Sequence, residues 1–202
     1  MKLYYSPGAC SLAAHIALRE SGVTFDLEKV DLGQHKTASG GDYYRINPKG
    51  YVPTLKLDDG EVLSEAAVVL QYIADKKPES GLVPKPGTME RYRLMEWLTF
   101  ISSEIHKTFT PFFHPEAGSK DAAKVQLAKR FDYVEKQLAE KPWLMGDTFT
   151  VADAYLFVVT NWTNIHEIDL SKWPKLKDFM ARVKARQNVQ EAMKAEGLIE
   201  SS

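Results

Sequence analysis

The sequence predicts an α/β domain followed by an all-α domain, and three features predict it. Short strand-like and helix-like segments alternate over residues 1–80, a Pro- and Gly-rich break follows at 81–87 (Gly-Leu-Val-Pro-Lys-Pro-Gly), and beyond it the apolar periodicity is that of long helices alone. At 202 residues the chain is long enough for two compact domains. The expected division is 1–80 for the first domain, 81–87 for the linker and 88–202 for the second.

Lys2 to Tyr5 reads as a strand. Ser11 to Ser21 reads as a helix, with Leu12, Ile16 and Ala17 at helical spacing and a stop at Gly22. Phe25 to Val30 is a second strand. From Asp31 to Tyr44 the pattern is polar and glycine-bearing, and a short helical turn leads into Asn47-Pro48-Lys49-Gly50, a turn signal. Val52 to Leu57 and Glu61 to Leu63 flank Asp58-Asp59-Gly60 as a hairpin. Ser64 is placed to cap a helix running to about Asp75, with Glu65 at its positive end. The order β-α-β-α-β-β-α is that of a thioredoxin-like domain.

In the second half, Leu94, Leu98, Ile101, Ile105 and Phe109 form one apolar stripe of a long helix starting near Thr88. A second helix is expected over Val125 to Leu138, ended before Pro142. A third opens at Thr150-Val151-Ala152-Asp153, a Thr-x-x-Asp variant of the capping box, and further helices follow Pro174 and Asn188.

Charge and composition exclude several classes. The 26 basic and 27 acidic residues nearly cancel and no long basic run occurs, so nucleic acid is not an expected partner. The five histidines have neither the i, i+4 pairing nor the Cys/His clustering of a metal centre, so no metal is expected. No stretch resembles a signal peptide or a membrane span. With a single cysteine, no internal disulfide framework is available. The expectation is a soluble, cytoplasmic protein.

That cysteine, Cys10, stands between the first strand and the first helix, in Ser6-Pro7-Gly8-Ala9-Cys10-Ser11. Backbone amides and the helix start there favour an anion, which is expected to draw a thiol down from about 8.5 towards neutrality. A lone cysteine also reads as a small, inert packing residue. Redox dithiol chemistry is disfavoured, because Ala13 stands where the second cysteine of a Cys-x-x-Cys motif would be. Val52-Pro53 reads either as an ordinary strand start or as a place where backbone groups meet a ligand. Glu65-Ala66 reads either as a solvated first turn or as amides open to a carboxylate. Thr99, Ser103 and His106, with Lys107 at the margin, fall at helical spacing, as a functional stripe or a solvated face.

The chain resembles the beta-class bacterial glutathione S-transferases along its whole length. The resemblance is carried by Tyr5, Pro7-Gly8-Ala9-Cys10-Ser11-Leu12, Asn47-Pro48-Lys49-Gly50-Tyr51-Val52-Pro53, Asp58-Asp59-Gly60 and Ser64-Glu65-Ala66. Further on it is carried by Glu96-Trp97-Leu98, Ser103-Glu104-Ile105-His106-Lys107, the run from Phe149 to Phe157, and the tail from Ala195 to Ile199.

It implies an N-terminal thioredoxin-like domain and a C-terminal helical domain in a homodimer. It also implies glutathione as co-substrate, no cofactor, and a small hydrophobic electrophile as second substrate. Cys10, Ser11, His106 and Lys107 would be catalytic, with the sulfur of glutathione near Cys10 and Ser11. Tyr5, Val52, a cis Pro53, Glu65, the Ala66 amide, Thr99 and Ser103 would belong to the glutathione site. His35 stands where the family often has lysine, and Ala66 and Thr99 depart from its usual glycine and asparagine. The implied reaction is conjugation of the glutathione thiolate, with thiol transfer through a Cys10 mixed disulfide beside it. A dedicated thiol transferase or reductive dehalogenase, and a non-catalytic binding module on the same fold, are the alternatives.

Overall fold

The computed structural model describes residues 1–200. The chain divides into two compact units, Pro84–Lys184 forming one, and Met1–Val83 together with the segment from Ala185 onward forming the other. The expected second domain of 88–202 is corrected here: its last helix and tail belong with the first unit, because Arg186 makes a two-toothed ion pair with Glu20 and Glu196 reaches His15.

In the first unit the strands are β1 (Lys2–Tyr5), β2 (Asp26–Asp31), β3 (Lys36–Thr37), β4 (Thr54–Lys56) and β5 (Val62–Ser64). They form one sheet in the order β3-β2-β1-β4-β5, with β1 and β2 parallel and the other pairings antiparallel. Helices α1 (Ser11–Ser21) and α2 (Ala66–Asp75) complete the thioredoxin-like arrangement. The α1 helix ends where Gly22 takes the left-handed conformation and returns its amide to Arg19.

Two expectations change in this unit. The short helical turn expected before Asn47 is a 3₁₀ turn at Tyr43–Arg45, but the polar stretch ahead of it adds the unexpected edge strand β3. Secondly, Ser64 ends β5 and Glu65, at φ 70, stands at the N-cap of α2 without a side-chain capping bond. The core includes Leu3, Leu12, Ile16, Leu18, Leu55, Leu70 and Ile73, all fully buried.

The second unit is helical: α3 (Met89–Phe100), α4 (Thr110–Phe113), α5 (Lys120–Gln137), α6 (Val151–Ile165) and α7 (Pro174–Lys184). A final helix, α8 (Gln187–Ala195), lies in the first unit. Thr88 caps α3 through the amide of Arg91, and the stripe Leu94, Leu98, Ile101, Ile105 and Phe109 is buried throughout. Beyond α3 the chain continues as a π-helical segment, Ile101–His106, and a 3₁₀ turn, Lys107–Phe109. The α5 helix starts earlier than expected, because Ser119 caps it through the amide of Ala122.

The capping box at α6 is present. The Asp153 carboxylate accepts from the Thr150 amide at 2.8 Å and the Thr150 hydroxyl at 3.1 Å, and it also holds the Leu144 amide at 2.8 Å. Burial pushes its carboxyl up to about 6 against the pull of those donors. Among the described residues no helix is long and apolar enough to cross a membrane.

Candidate functional site

The end of β1 leads into a loop whose geometry is over-determined. The hydroxyl of Ser11 accepts from the Ser6 amide and donates to the Ser6 carbonyl, both at 3.2 Å, closing the turn that carries Pro7, Gly8 and Ala9. Gly8 is in the left-handed conformation at φ 71, and its amide donates to Glu196 Oε2 at 2.9 Å. A Cβ at Gly8 would stand 3.3 Å from Leu198, so the tail covers this loop closely. Ser11, expected as a catalytic hydroxyl beside the bound sulfur, is fully buried with its hydroxyl bonded to the Ser6 backbone, which shapes the loop.

Cys10 occupies the N-cap of α1, and its Sγ lies 3.1 Å from the Val52 carbonyl, the thiol donating. The peptide between Val52 and Pro53 is cis. Tyr43 and Asn47 hold the preceding turn, both donating to the Tyr51 carbonyl, at 2.7 and 2.9 Å. The charge state of Cys10 is opposite to the expectation. Burial pushes the thiol up to about 12, the amides of Cys10 and Ser11 pull it down by less, and the Glu65 carboxylate adds to the rise. The helix start acts in the expected direction but is outweighed by desolvation. The balance favours the neutral thiol over the thiolate.

The remaining candidates of the first unit are placed as follows. Tyr5 packs its ring against His15 at 6.2 Å. Val52 is buried beside Tyr4, Val30 and Tyr43. Ala66 opens α2, and the exposed Glu65 carboxylate is paired with Lys49 Nζ at 2.6 Å. His35, at φ 51, stacks on Tyr44 with ring centres 4.3 Å apart. A Cβ at Gly50 would fall 2.8 Å from the Tyr44 ring and 3.0 Å from His35 Nδ1, at φ 71, so only glycine fits under this stack.

In the second unit the predicted stripe is only partly realised. Thr99, Ser103 and Lys107 are exposed, and Ser103 donates to the Thr99 carbonyl at 2.9 Å. His106 departs from them. The wider turn of the π-helical segment aims it at α6, where Nδ1 lies 2.7 Å from the Tyr155 hydroxyl and the ring meets Trp162 edge-on at 4.9 Å. The i, i+7 spacing assumed regular α-helix and missed this.

Sequence reasoning also passed over Glu196 and His15. His15 Nδ1 pairs with Glu196 Oε1 at 2.9 Å, and its Nε2 accepts from Arg19 Nε at 3.0 Å. Arginine only donates, so Nε2 carries no proton and Nδ1–H faces the carboxylate. The one available signal was His15, a polar residue on the apolar face of α1. Among the described residues no group of three or more His, Cys, Asp or Glu is placed to hold a metal ion.

A sheet of this order with a cysteine at the start of the first helix, in a chain that also forms an all-helical unit, is the two-unit architecture of the solved glutathione S-transferases it resembles. The chain belongs to the glutathione S-transferase family: the model of its N-terminal domain matches residues 8–76 and that of its C-terminal domain residues 100–187. It is 45% identical to the glutathione S-transferase GstA of Escherichia coli O157:H7, over 98% of this chain and all of that one. Within the family it stands with the bacterial beta class. It is 48% identical to the beta-class enzyme of Sphingomonas chungbukensis, with a TM-score of 0.93, over 98% of this chain and all of the other. A sphingomonad glutathione S-transferase solved in complex with glutathione is 46% identical, with a TM-score of 0.94 and the same coverage.

Proposed function

We propose that the protein is a glutathione S-transferase that adds the thiolate of glutathione to small apolar electrophiles. The observation that carries this reading is the Cys10 thiol at the start of α1, donating to the Val52 carbonyl at 3.1 Å. A neutral thiol there is a hydrogen-bond donor waiting for an acceptor, and an incoming thiolate is a better acceptor than the carbonyl it now meets. The 46% identical sphingomonad protein solved with glutathione supports the choice of ligand.

In this reading the tripeptide adds its backbone alongside Val52, as an extra strand would. Glu65 and the Ala66 amide hold its γ-glutamyl end, with Lys49 moving off the carboxylate or sharing it. His35, braced on Tyr44, receives the glycine carboxylate through a hydrogen bond. Tyr5 and Ser11 act through the shape of the Cys10 loop. From the helical unit, Thr99 and Ser103 supply hydroxyls, while His106 and Lys107 supply donors that favour the thiolate form of glutathione. Glutathione is a co-substrate, and the protein needs no cofactor. It works as a cytoplasmic homodimer, with no membrane or nucleic acid partner.

Thiol transfer ranks behind conjugation. It requires the Cys10 thiolate to attack one sulfur of oxidised glutathione, forming a mixed disulfide and expelling a glutathione thiolate. A thiol pushed up to about 12 is almost wholly protonated at neutral pH, which slows that attack, and the same argument weighs against reductive dehalogenation through Cys10.

The test is conjugation of a chloronitrobenzene, and of a panel of other small electrophiles, with and without glutathione. The expected result is a glutathione-dependent rate that Cys10→Ala lowers by no more than about tenfold. Absence of any glutathione-dependent rate across the panel would overturn the reading. So would complete loss in Cys10→Ala alongside disulfide reduction by the unaltered protein.

A further inference from the structure

His35 is held on three sides. Its left-handed backbone, at φ 51, is fixed by the Tyr43 amide, which donates to the His35 carbonyl at 2.8 Å. Its ring lies on Tyr44 at an interplanar angle of 30°, and the Cβ that Gly50 lacks would stand 3.0 Å from Nδ1. It is therefore a C–H bond of Gly50 that points at this nitrogen. Nδ1 is buried without a hydrogen-bond partner, while the residue as a whole is partly exposed. A polar group that reaches this ring must do so through Nε2.

We propose that the protein also conjugates glutathione whose glycine carboxyl is capped as an amide, because His35 reads that end through a single Nε2–H donor. The inference rests on the reading above, in which His35 receives the glycine end. A lone pair at Nδ1 suits the C–H bond that faces it, whereas an N–H there would be a buried donor with no acceptor. The ring hydrogen therefore sits on Nε2. One N–H asks its ligand for an acceptor oxygen, and an amide carbonyl supplies one as a carboxylate does. Lys49 and Arg45, on the turn against which His35 packs, already face carboxylates, Glu65 at 2.6 Å and Asp42 at 3.9 Å. A charge at the glycine end strengthens the bond to His35 but is not required for it. The step at sulfur is that of the acid: sulfur bonds to the electrophilic carbon, chloride leaves with its electron pair, and the thiol proton passes to solvent.

The experiment uses the full chain, a chloronitrobenzene, and glutathione or glutathione amide as the thiol. The KM for the amide is expected to lie within about fivefold of that for glutathione, at similar kcat. His35→Lys puts a fixed cation at this end and is expected to widen that KM ratio about fivefold, while Lys36→Ala leaves it unchanged. Tyr44→Ala, which unbraces the ring, is expected to raise KM for both thiols about fivefold with kcat unchanged. Nitrogen-15 NMR of the unaltered protein at neutral pH is expected to show His35 with its hydrogen on Nε2. An amide KM outside the stated range, a ratio that collapses in Lys36→Ala or stays fixed in His35→Lys, or a hydrogen on Nδ1 would each overturn the inference and leave the proposed function standing. No conjugation of either thiol would overturn the proposed function, and this inference with it.

Discussion

The Cys10 loop in the first unit and the His106 segment in the second are both held in place, by opposite means. The loop is tied by polar contacts from far along the chain: Glu196, 188 residues away, takes the Gly8 amide, and Val52 takes the thiol. The His106 segment is shaped by helix geometry and aromatic packing, with Tyr155 and Trp162 of α6 set against the ring. One site is fixed by hydrogen bonds that must all be satisfied at once, the other by the direction in which a helix turn points a ring. Damage should therefore spread differently in the two.

The largest expected effect tests that contrast. Asp153→Ala strands the buried Leu144 and Thr150 amides and is expected to lower unfolding stability by about 4 kcal/mol, leaving the alkylation rate of Cys10 unchanged. Glu196→Ala strands the Gly8 amide and the His15 ring, costs about 3 kcal/mol, and speeds Cys10 alkylation because the loop opens. Urea unfolding and timed alkylation with mass detection check both. Equal alkylation rates in the two variants would erase the distinction.

A smaller effect concerns the sheet of the first unit. The Glu28 carboxyl is held down to about 2, first by hydrogen bonds from Lys2 and Ser39, with little offset from burial. A depressed carboxyl adds stability that is fully present above its ordinary value of about 4.5 and is lost as pH falls towards 2. Glu28→Gln is expected to remove up to about 2 kcal/mol of this acid-side loss. Unfolding curves recorded between those pH values measure it.

The same contrast explains what was legible in the sequence. Elements fixed locally were readable: the α1 helix with its Gly22 stop, the Asp58-Asp59-Gly60 hairpin, the Thr150-x-x-Asp153 cap and the buried stripe from Leu94 to Phe109. Features fixed by distant residues were not. Nothing near Glu196 announces that it closes a loop near residue 8, and the tail's return to the first unit follows from the Arg186 to Glu20 pair. The Cys10 error was one of magnitude: amides and helix start favour the thiolate as read, but burial, which depends on the whole fold, wins. The π-helical segment hid for a related reason, since periodicity alone cannot show where one extra residue enters a turn.

In the proposed function the protein ionises the sulfur of glutathione while its own cysteine stays protonated. Ultraviolet thiolate absorbance, titrated against pH in the presence and absence of glutathione, tests it most directly. No thiolate signal is expected from the free protein at neutral pH, and in the complex a thiolate is expected that titrates well below free glutathione and persists in Cys10→Ala. A neutral-pH thiolate in the free protein, or one in the complex that disappears with Cys10, would contradict it.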